Sequence, residues 1–217
     1  MIITEPKKIE EILKSLEKFQ KIFLIGCGEC STTCKTGGEA EVLKMKEELA
    51  KAGKNVLGTC IPSAPCVASK VKTEIAKNMA AFRQSEAVLV LACGLGVQSV
   101  RENDRFGLSV IPACNTLCGA LMDAQGNFYE KCSMCAECIL DKTAAICPIT
   151  LCPKGILNGP CGGMDKGKCE TDKEKDCAWV LIYKEMEKRH NLDGLKEIQP
   201  PKDFKKMLKP RKLLMTK

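Results

Sequence analysis

Aromatic residues make up only 4% of this 217-residue sequence, with one Trp, two Tyr and six Phe. The core is therefore left to aliphatic side chains, and the stacking platforms that hold single-stranded nucleic acid are nearly absent. Histidine is scarcer still, His190 being the sole example. It lies in the polar stretch KEMEKRHN and reads as a surface or helix-capping residue, so any bound metal is left to thiolate ligands. One histidine so placed also excludes a Ser/His/Asp arrangement. No run of 18 apolar residues occurs, and MIITEPKKIEEILK carries charge where a secretory leader needs an apolar stretch. The expectation is a cytoplasmic chain that does not insert into a membrane.

Sulfur is the excess. Sixteen cysteines are present, eight before residue 120 and eight between Cys132 and Cys177. Such a count permits disulfides, zinc or iron–sulfur clusters. Disulfides need an oxidising compartment, which the expected cytoplasmic location argues against. Two metal readings remain open: all-cysteine zinc and iron–sulfur.

The formal charge of +7 raises the question of a nucleic-acid partner. A [4Fe–4S] centre with four thiolates carries about −2, so three such centres cancel roughly six of those charges. The basic excess then balances bound cofactors, and no nucleic-acid partner is expected.

Hydrophobic residues reach 45%, enough for one large domain or two small ones. Residues 6–20 read as an amphipathic helix with Ile9, Ile12, Leu13, Leu16 and Phe19 on one face. Residues 22–25 are a short apolar run typical of a strand buried on both faces. A helix from Glu39, carrying Val42, Leu43, Met45 and Leu49 and ending at Gly53, leads to a strand over residues 55–59. A helix over 67–83, a strand over 87–92 and a strand over 108–111 complete the alternation. Cys27, Cys60 and Cys93 follow three of these strands at intervals of 33 residues, about one βα unit. Alternation of this kind implies a parallel sheet with a cysteine at each strand's carboxyl end, where open α/β sheets bind ligands. The dinucleotide fingerprint is incomplete: Ser31 and Ser99 stand where GCGECS and GLGVQS need a third glycine.

Beyond about residue 122 the texture changes, and residues 131–177 are dense in Cys, Gly and Pro. A helix over 178–189 follows. The tail PPKDFKKMLKPRKLLMTK, with seven basic residues and one acid, reads as a solvated or partner-draped extension. The expectation is thus an α/β chain. A Rossmann-like parallel-sheet domain with a cysteine metal site occupies residues 1–122. A small, cysteine-rich, ferredoxin-like iron–sulfur domain with a C-terminal helix and basic tail occupies 123–217.

The strongest motif is CSMCAEC, which spaces Cys132, Cys135 and Cys138 as C-x2-C-x2-C. Three ligands two residues apart wrap one face of a cubane, with intervening amides free to bond its sulfides. Its fourth ligand must come from Cys147, Cys152, Cys161, Cys169 or Cys177, and spacing does not choose among them. Glycines in NGPCGGMDKGKC allow the close backbone approach and positive φ that a bulky anionic centre needs. In the N-terminal half, Cys27, Cys30 and Cys34 form a triplet at a helix start, where the dipole favours thiolates. Cys93 is the expected fourth ligand because its strand lies beside that of Cys27 in a 2-1-3 order, with Cys66 second. Cys60, Cys114 and Cys118 read as apolar thiols.

These residues carry a resemblance. FLIGCGECSTTCKTGGEAEV, LACGLGVQSV, CSMCAECIL and above all CPKGILNGPCGGMDKGKCE, followed by DCAWVLIY and LKEIQPPKDF, resemble the small iron–sulfur (MetV-type) subunits of acetogen methylenetetrahydrofolate reductases. The resemblance covers essentially the whole chain. From about residue 123 it is similar to the reductase C-terminal domain. It implies a non-catalytic subunit that passes electrons to a flavin-containing, TIM-barrel catalytic partner, which reduces methylenetetrahydrofolate to methyltetrahydrofolate. It also implies an upstream donor: a ferredoxin, a hydrogenase or an NADH-oxidising subunit. Two [4Fe–4S] clusters are implied for Cys132, Cys135, Cys138, Cys147, Cys152, Cys161, Cys169 and Cys177. A third site, [4Fe–4S] or Zn, is implied at the Cys27, Cys30 and Cys34 triplet. The competing reading is a zinc-stabilised scaffold that binds a partner without moving electrons.

Overall fold

The computed structural model describes residues 1–211, so the last six residues of the basic tail lie outside the described residues. The chain divides into two compact units, Met1–Cys118 and Gly119–Lys217.

The first unit opens with β1 (Ile2–Pro6) and α1 (Ile9–Ser15). The helix expected over residues 6–20 is therefore shorter at both ends: Pro6 belongs to β1, and the helix stops at Ser15, with Leu16 as its C-cap. The unit continues through β2 (Lys21–Ile25), α2 (Cys30–Thr33), α3 (Glu39–Lys51) and β3 (Asn55–Cys60). Next come α4 (Ala68–Lys77), α5 (Met79–Gln84), β4 (Ala87–Val90), α6 (Gly94–Asn103) and β5 (Ser109–Pro112). The one helix expected over 67–83 is two, broken at Asn78, whose side-chain amide donates to the Glu74 carbonyl and draws it out of the helical ladder.

β2 to β5 form a four-stranded sheet in the order β3-β2-β4-β5, every pair parallel. This is the expected 2-1-3 order with one strand added. The period of two along the central strands sorts the core. Ile22, Leu24, Ala87 and Leu89 face Ile12 and Leu16 of the α1 segment and Val42 and Leu49 of α3. Phe23, Ile25, Val88 and Val90 face Val71, Ile75, Phe82 and Val100 of α4 to α6. Helices thus cover both faces, as buried parallel strands require. Phe23 meets Phe82 edge-on at 5.2 Å, and Gly58 makes room for it: a Cβ there would sit 2.7 Å from the Phe23 ring. Leu43, expected with Val42, Met45 and Leu49 on the core face, is instead exposed.

β6 (Cys114–Met122) carries the boundary between the units, and β7 (Phe128–Glu130) pairs antiparallel with its distal end, Ala120 opposite Glu130. This hairpin turns through Asp123, whose carboxylate accepts from the Gln125 and Asn127 backbone amides. The rest of the second unit has short elements: a 3₁₀ turn at Leu140–Lys142, α7 (Pro148–Leu151), and the hairpin of β8 (Lys168–Cys169) with β9 (Asp172–Asp176). Its one long helix is α8 (Ala178–Lys188), followed by 3₁₀ turns at Leu192–Lys196 and Phe204–Met207. Cys177, Trp179, Ile182 and Met186 are its buried core, with Ile146, Leu192 and Leu195 packed around them. His190 terminates α8, exposed and at φ 54, with its N–H on the Glu187 carbonyl. No helix among the described residues is long and apolar enough to cross a membrane.

Candidate metal centres

All sixteen cysteines are free, and in the second unit they sort into two sets. Cys132, Cys135, Cys138 and Cys147 line one cavity of about 210 Å³. The fourth residue beside the CSMCAEC triplet is thus Cys147, a choice that spacing left open. The loop is shaped by residues in the left-handed region: Met134 (φ 54), Ala136 (φ 61), Ala144 (φ 48) and Ala145 (φ 64). Each costs about 1–2 kcal/mol for a residue with a Cβ, and such strain gathers where surrounding structure or function enforces it. One product is an amide aimed at sulfur, Met134 N–H to Cys132 Sγ at 3.4 Å. Burial raises the Cys135 thiol, but hydrogen bonding to the Glu137 backbone and to Lys202, with the charge of Lys202, outweighs it and the net shift is downward.

Cys152, Cys161, Cys169 and Cys177 line a second, tighter cavity of about 20 Å³, walled by Pro153, Met164 and Trp179. Trp179 is fixed there by its Nε1–H on the Ile156 carbonyl at 2.9 Å. Gly159, Gly162 and Gly167 have φ of 98, 84 and 84, the backbone freedom expected of NGPCGG and its neighbour. The Cys169 thiol is lowered, chiefly by the Thr171 hydroxyl at 3.2 Å. Cys177 is buried at the N-cap of α8. The two sets adjoin through α7, whose N-cap is Cys147 and whose C-cap is Cys152. Four residues of helix rise roughly 6 Å. The importance of this single turn was not visible in the sequence, although Cys147-Pro148 marks it: proline suits the first position of a helix.

In the first unit, Cys27 and Cys93 follow the adjacent parallel strands β2 and β4 and are both buried. Cys30 and Cys34 both address the backbone of Ile2: its N–H reaches Cys30 Sγ at 3.5 Å, and Cys34 Sγ donates to its carbonyl at 3.8 Å. Cys66 belongs to the same neighbourhood, its thiol raised by burial and then by Cys93, Cys27 and Cys30. The helix expected from Glu39 begins there, its N-cap Gly38 N–H taken by Glu41, while the triplet itself holds only the single turn of α2. Support from a helix dipole is correspondingly slight. Ser31, inside the loop, is fully buried, and its hydroxyl has no partner among the described residues.

Among the described residues no three His, Cys, Asp or Glu side chains meet closely enough to clasp one metal ion as they stand. In the second unit the cysteines surround cavities instead. Eight thiols in two sets of four, with no imidazole among them, are the donor chemistry of thiolate-ligated clusters or four-thiolate zinc. The left-handed backbone and the amide aimed at sulfur fit the first cavity to a bulky anionic group.

Cys60 stands apart from the triplet, whereas Cys114, also expected to be an apolar thiol, feels Cys34, Cys93 and Cys27 as Cys66 does. Burial pushes Cys60 up to about 12 and Cys114 up to about 11. At pH 8 a thiol like that of Cys60 is thiolate roughly a thousandfold less often than an ordinary one, and one like that of Cys114 roughly a hundredfold. We expect both to resist iodoacetamide in the folded chain by at least those factors relative to the urea-unfolded chain, measured by timed labelling and peptide mass spectrometry. Labelling of folded Cys60 within tenfold of the unfolded rate would contradict this. Cys118, grouped with them on sequence grounds, is only half-buried.

Fold and site together define a two-unit α/β chain whose second unit gathers eight cysteines into two four-thiol cavities. Residues 111–205 match the family model described as methylene-tetrahydrofolate reductase C terminal, and that segment holds both sets in full. The second unit is thus similar to a region of methylenetetrahydrofolate reductase proteins. No curated protein and no solved structure matches the chain.

Proposed function

We propose that this chain is an iron–sulfur electron-transfer subunit of a methylenetetrahydrofolate reductase complex, cytoplasmic, and partnered by a flavin-containing catalytic subunit and an upstream electron donor. The observation that carries the reading is the pair of four-cysteine cavities joined end to end by the single turn of α7. Clusters held there would accept and release single electrons, the chemistry a partner flavin needs for a two-electron reduction. The chain's own residues supply the setting. Cys132, Cys135, Cys138 and Cys147 would hold one centre, and Cys152, Cys161, Cys169 and Cys177 the other. Trp179 and Pro153 wall the second, and the Met134 amide points at the sulfur of the first. The similarity of residues 111–205 to the reductase C-terminal family supports the choice of partner. Cys27, Cys30, Cys34 and Cys93, with Cys66 at hand, are the donors for a third metal, [4Fe–4S] or Zn.

The test is a comparison of electron sources. The flavin partner alone, given electrons by a reduced viologen dye, should reduce its folate substrate. Fed by the physiological donor, it should do so only when the metal-loaded chain is present. Full donor-fed activity without this chain would refute the proposal. A second reading applies to one site: a cavity of about 20 Å³ is room for about one water-sized body, which favours a closed four-thiolate zinc over a cubane there. Anaerobic metal analysis separates the two, since zinc at that site leaves one zinc per chain that a Cys169→Ser change removes.

A further inference from the structure

Three charged residues line the cavity of Cys132, Cys135, Cys138 and Cys147: Lys131, Glu137 and Lys202. Two of them are engaged elsewhere. Lys131 is exposed and its Nζ sits over the Tyr129 ring, 5.5 Å from the centroid. The Glu137 carboxylate accepts from Lys206 Nζ at 2.8 Å and from the Asp203 backbone N–H at 2.8 Å. Lys202 remains. It is half-buried, and its Nζ donates to the Glu137 carbonyl within the cysteine loop. The Cys135 thiol donates to that same carbonyl at 3.5 Å, so ammonium and sulfur meet on one backbone oxygen in one cavity. The tail read from sequence as a solvated extension is therefore, over residues 202–206, a clamp closed on the CSMCAEC loop across more than 60 residues of sequence.

We infer that Lys202 is the charge-compensating residue of this site, held against Cys135 by the Glu137 clamp, and that it favours the reduced state of the cluster bound there. The inference rests on the reading that Cys132, Cys135, Cys138 and Cys147 hold a [4Fe–4S] centre. Four thiolates and an oxidised core carry about −2 in total, and one-electron reduction takes that to about −3 with no bond made or broken. An ammonium held beside one thiolate stabilises the more negative state more, by charge. The clamp, rather than the lysine alone, is what keeps a flexible four-carbon side chain at that post.

The experiment is a dye-mediated titration of the anaerobically loaded full chain with dithionite, followed by electron paramagnetic resonance, on wild type, Lys202→Gln, Lys202→Arg and Lys206→Gln. Lys202→Gln should lower the reduced-to-oxidised ratio of one cluster by about tenfold at fixed potential, equivalent to about 59 mV for one electron. The other signal should not move. Lys202→Arg, which keeps charge and donor, should shift the ratio less than about threefold. Lys206→Gln, which loosens the clamp without touching sulfur, should fall between them. A Lys202→Gln chain with full iron and an unmoved ratio overturns the inference alone. Loss of iron in Lys202→Gln but not in Lys202→Arg supports charge compensation, whereas loss in both overturns it. Wild-type chain that binds no iron overturns the site, and the inference with it.

Discussion

Cys147→Ser should empty one metal site of the second unit and leave the other filled. The variant is well suited to the question because serine is a good N-cap, so α7 should still form while the thiolate is gone. Cys147 lines the same cavity as Cys132, Cys135 and Cys138, so its loss should match that of Cys135→Ser. Both should keep the metal that Cys169→Ser and Cys152→Ser remove. In the complex, delivery from the physiological donor should fall at least about 100-fold, more than the loss typical of an outer-shell change. Reduction of substrate by the dye-fed partner should be unaffected. If Cys161→Ser or Cys177→Ser instead erased the signal of the triplet, the division of ligands seen in the cavities would be wrong.

Complete metal removal should unravel the second unit while the first stays folded. The physical reason is the size of the two cores. The first unit buries Phe23, Phe82, Leu24, Ile25, Leu49 and Leu89 almost completely around a four-stranded sheet. The second rests on Trp179, Ile182, Met186 and Cys177, and its cysteine segment holds residues in left-handed conformations that oppose folding. Metal binding contributes about 10–16 kcal/mol in small structural sites, enough to decide such a balance. Trypsin should then cut at Lys154, Lys166 or Lys173 at least about tenfold faster after chelation, as expected for a locally opened segment. Products retaining the first unit should persist. Unchanged resistance of this segment in verified metal-free protein would show that side-chain packing holds the unit together.

The sheet was legible because its signals are local. Apolar runs such as AVLVLA read as buried strands, and the 33-residue recurrence of Cys27, Cys60 and Cys93 marks the βα unit. Strand β1 escaped because IITEP is short and ends in a charge and a proline, a pattern that belongs as readily to a loop. The β6–β7 hairpin escaped because its pairing joins largely exposed stretches with no hydrophobic alternation to announce it. The single helix read over 67–83 was broken by a side-chain hydrogen bond from Asn78 that periodicity cannot display. At the cysteine sites, residue type was readable and partnership was not. Nothing in the spacing separates Cys147 from Cys161 as companion to Cys132, because the choice depends on how α7 and the β8–β9 hairpin fold back. The Lys202 contact was hidden for the same reason: a basic tail reads as solvated until its acidic counterpart, Glu137, is located in space.

The two cysteine sets do not interleave along the chain: the last member of one, Cys147, precedes the first member of the other, Cys152. During synthesis, which proceeds from the N-terminus, the earlier donor set is complete before any residue of the later one leaves the ribosome. A metal captured during synthesis would meet the earlier set first, by about a second of chain growth. A break within the one turn of α7 would leave each piece with all four of its thiols. It would nevertheless part the CSMCAEC loop from Lys202 and Lys206, and Ile146 from the core around Trp179 and Ile182, so the thiols divide where the packing does not.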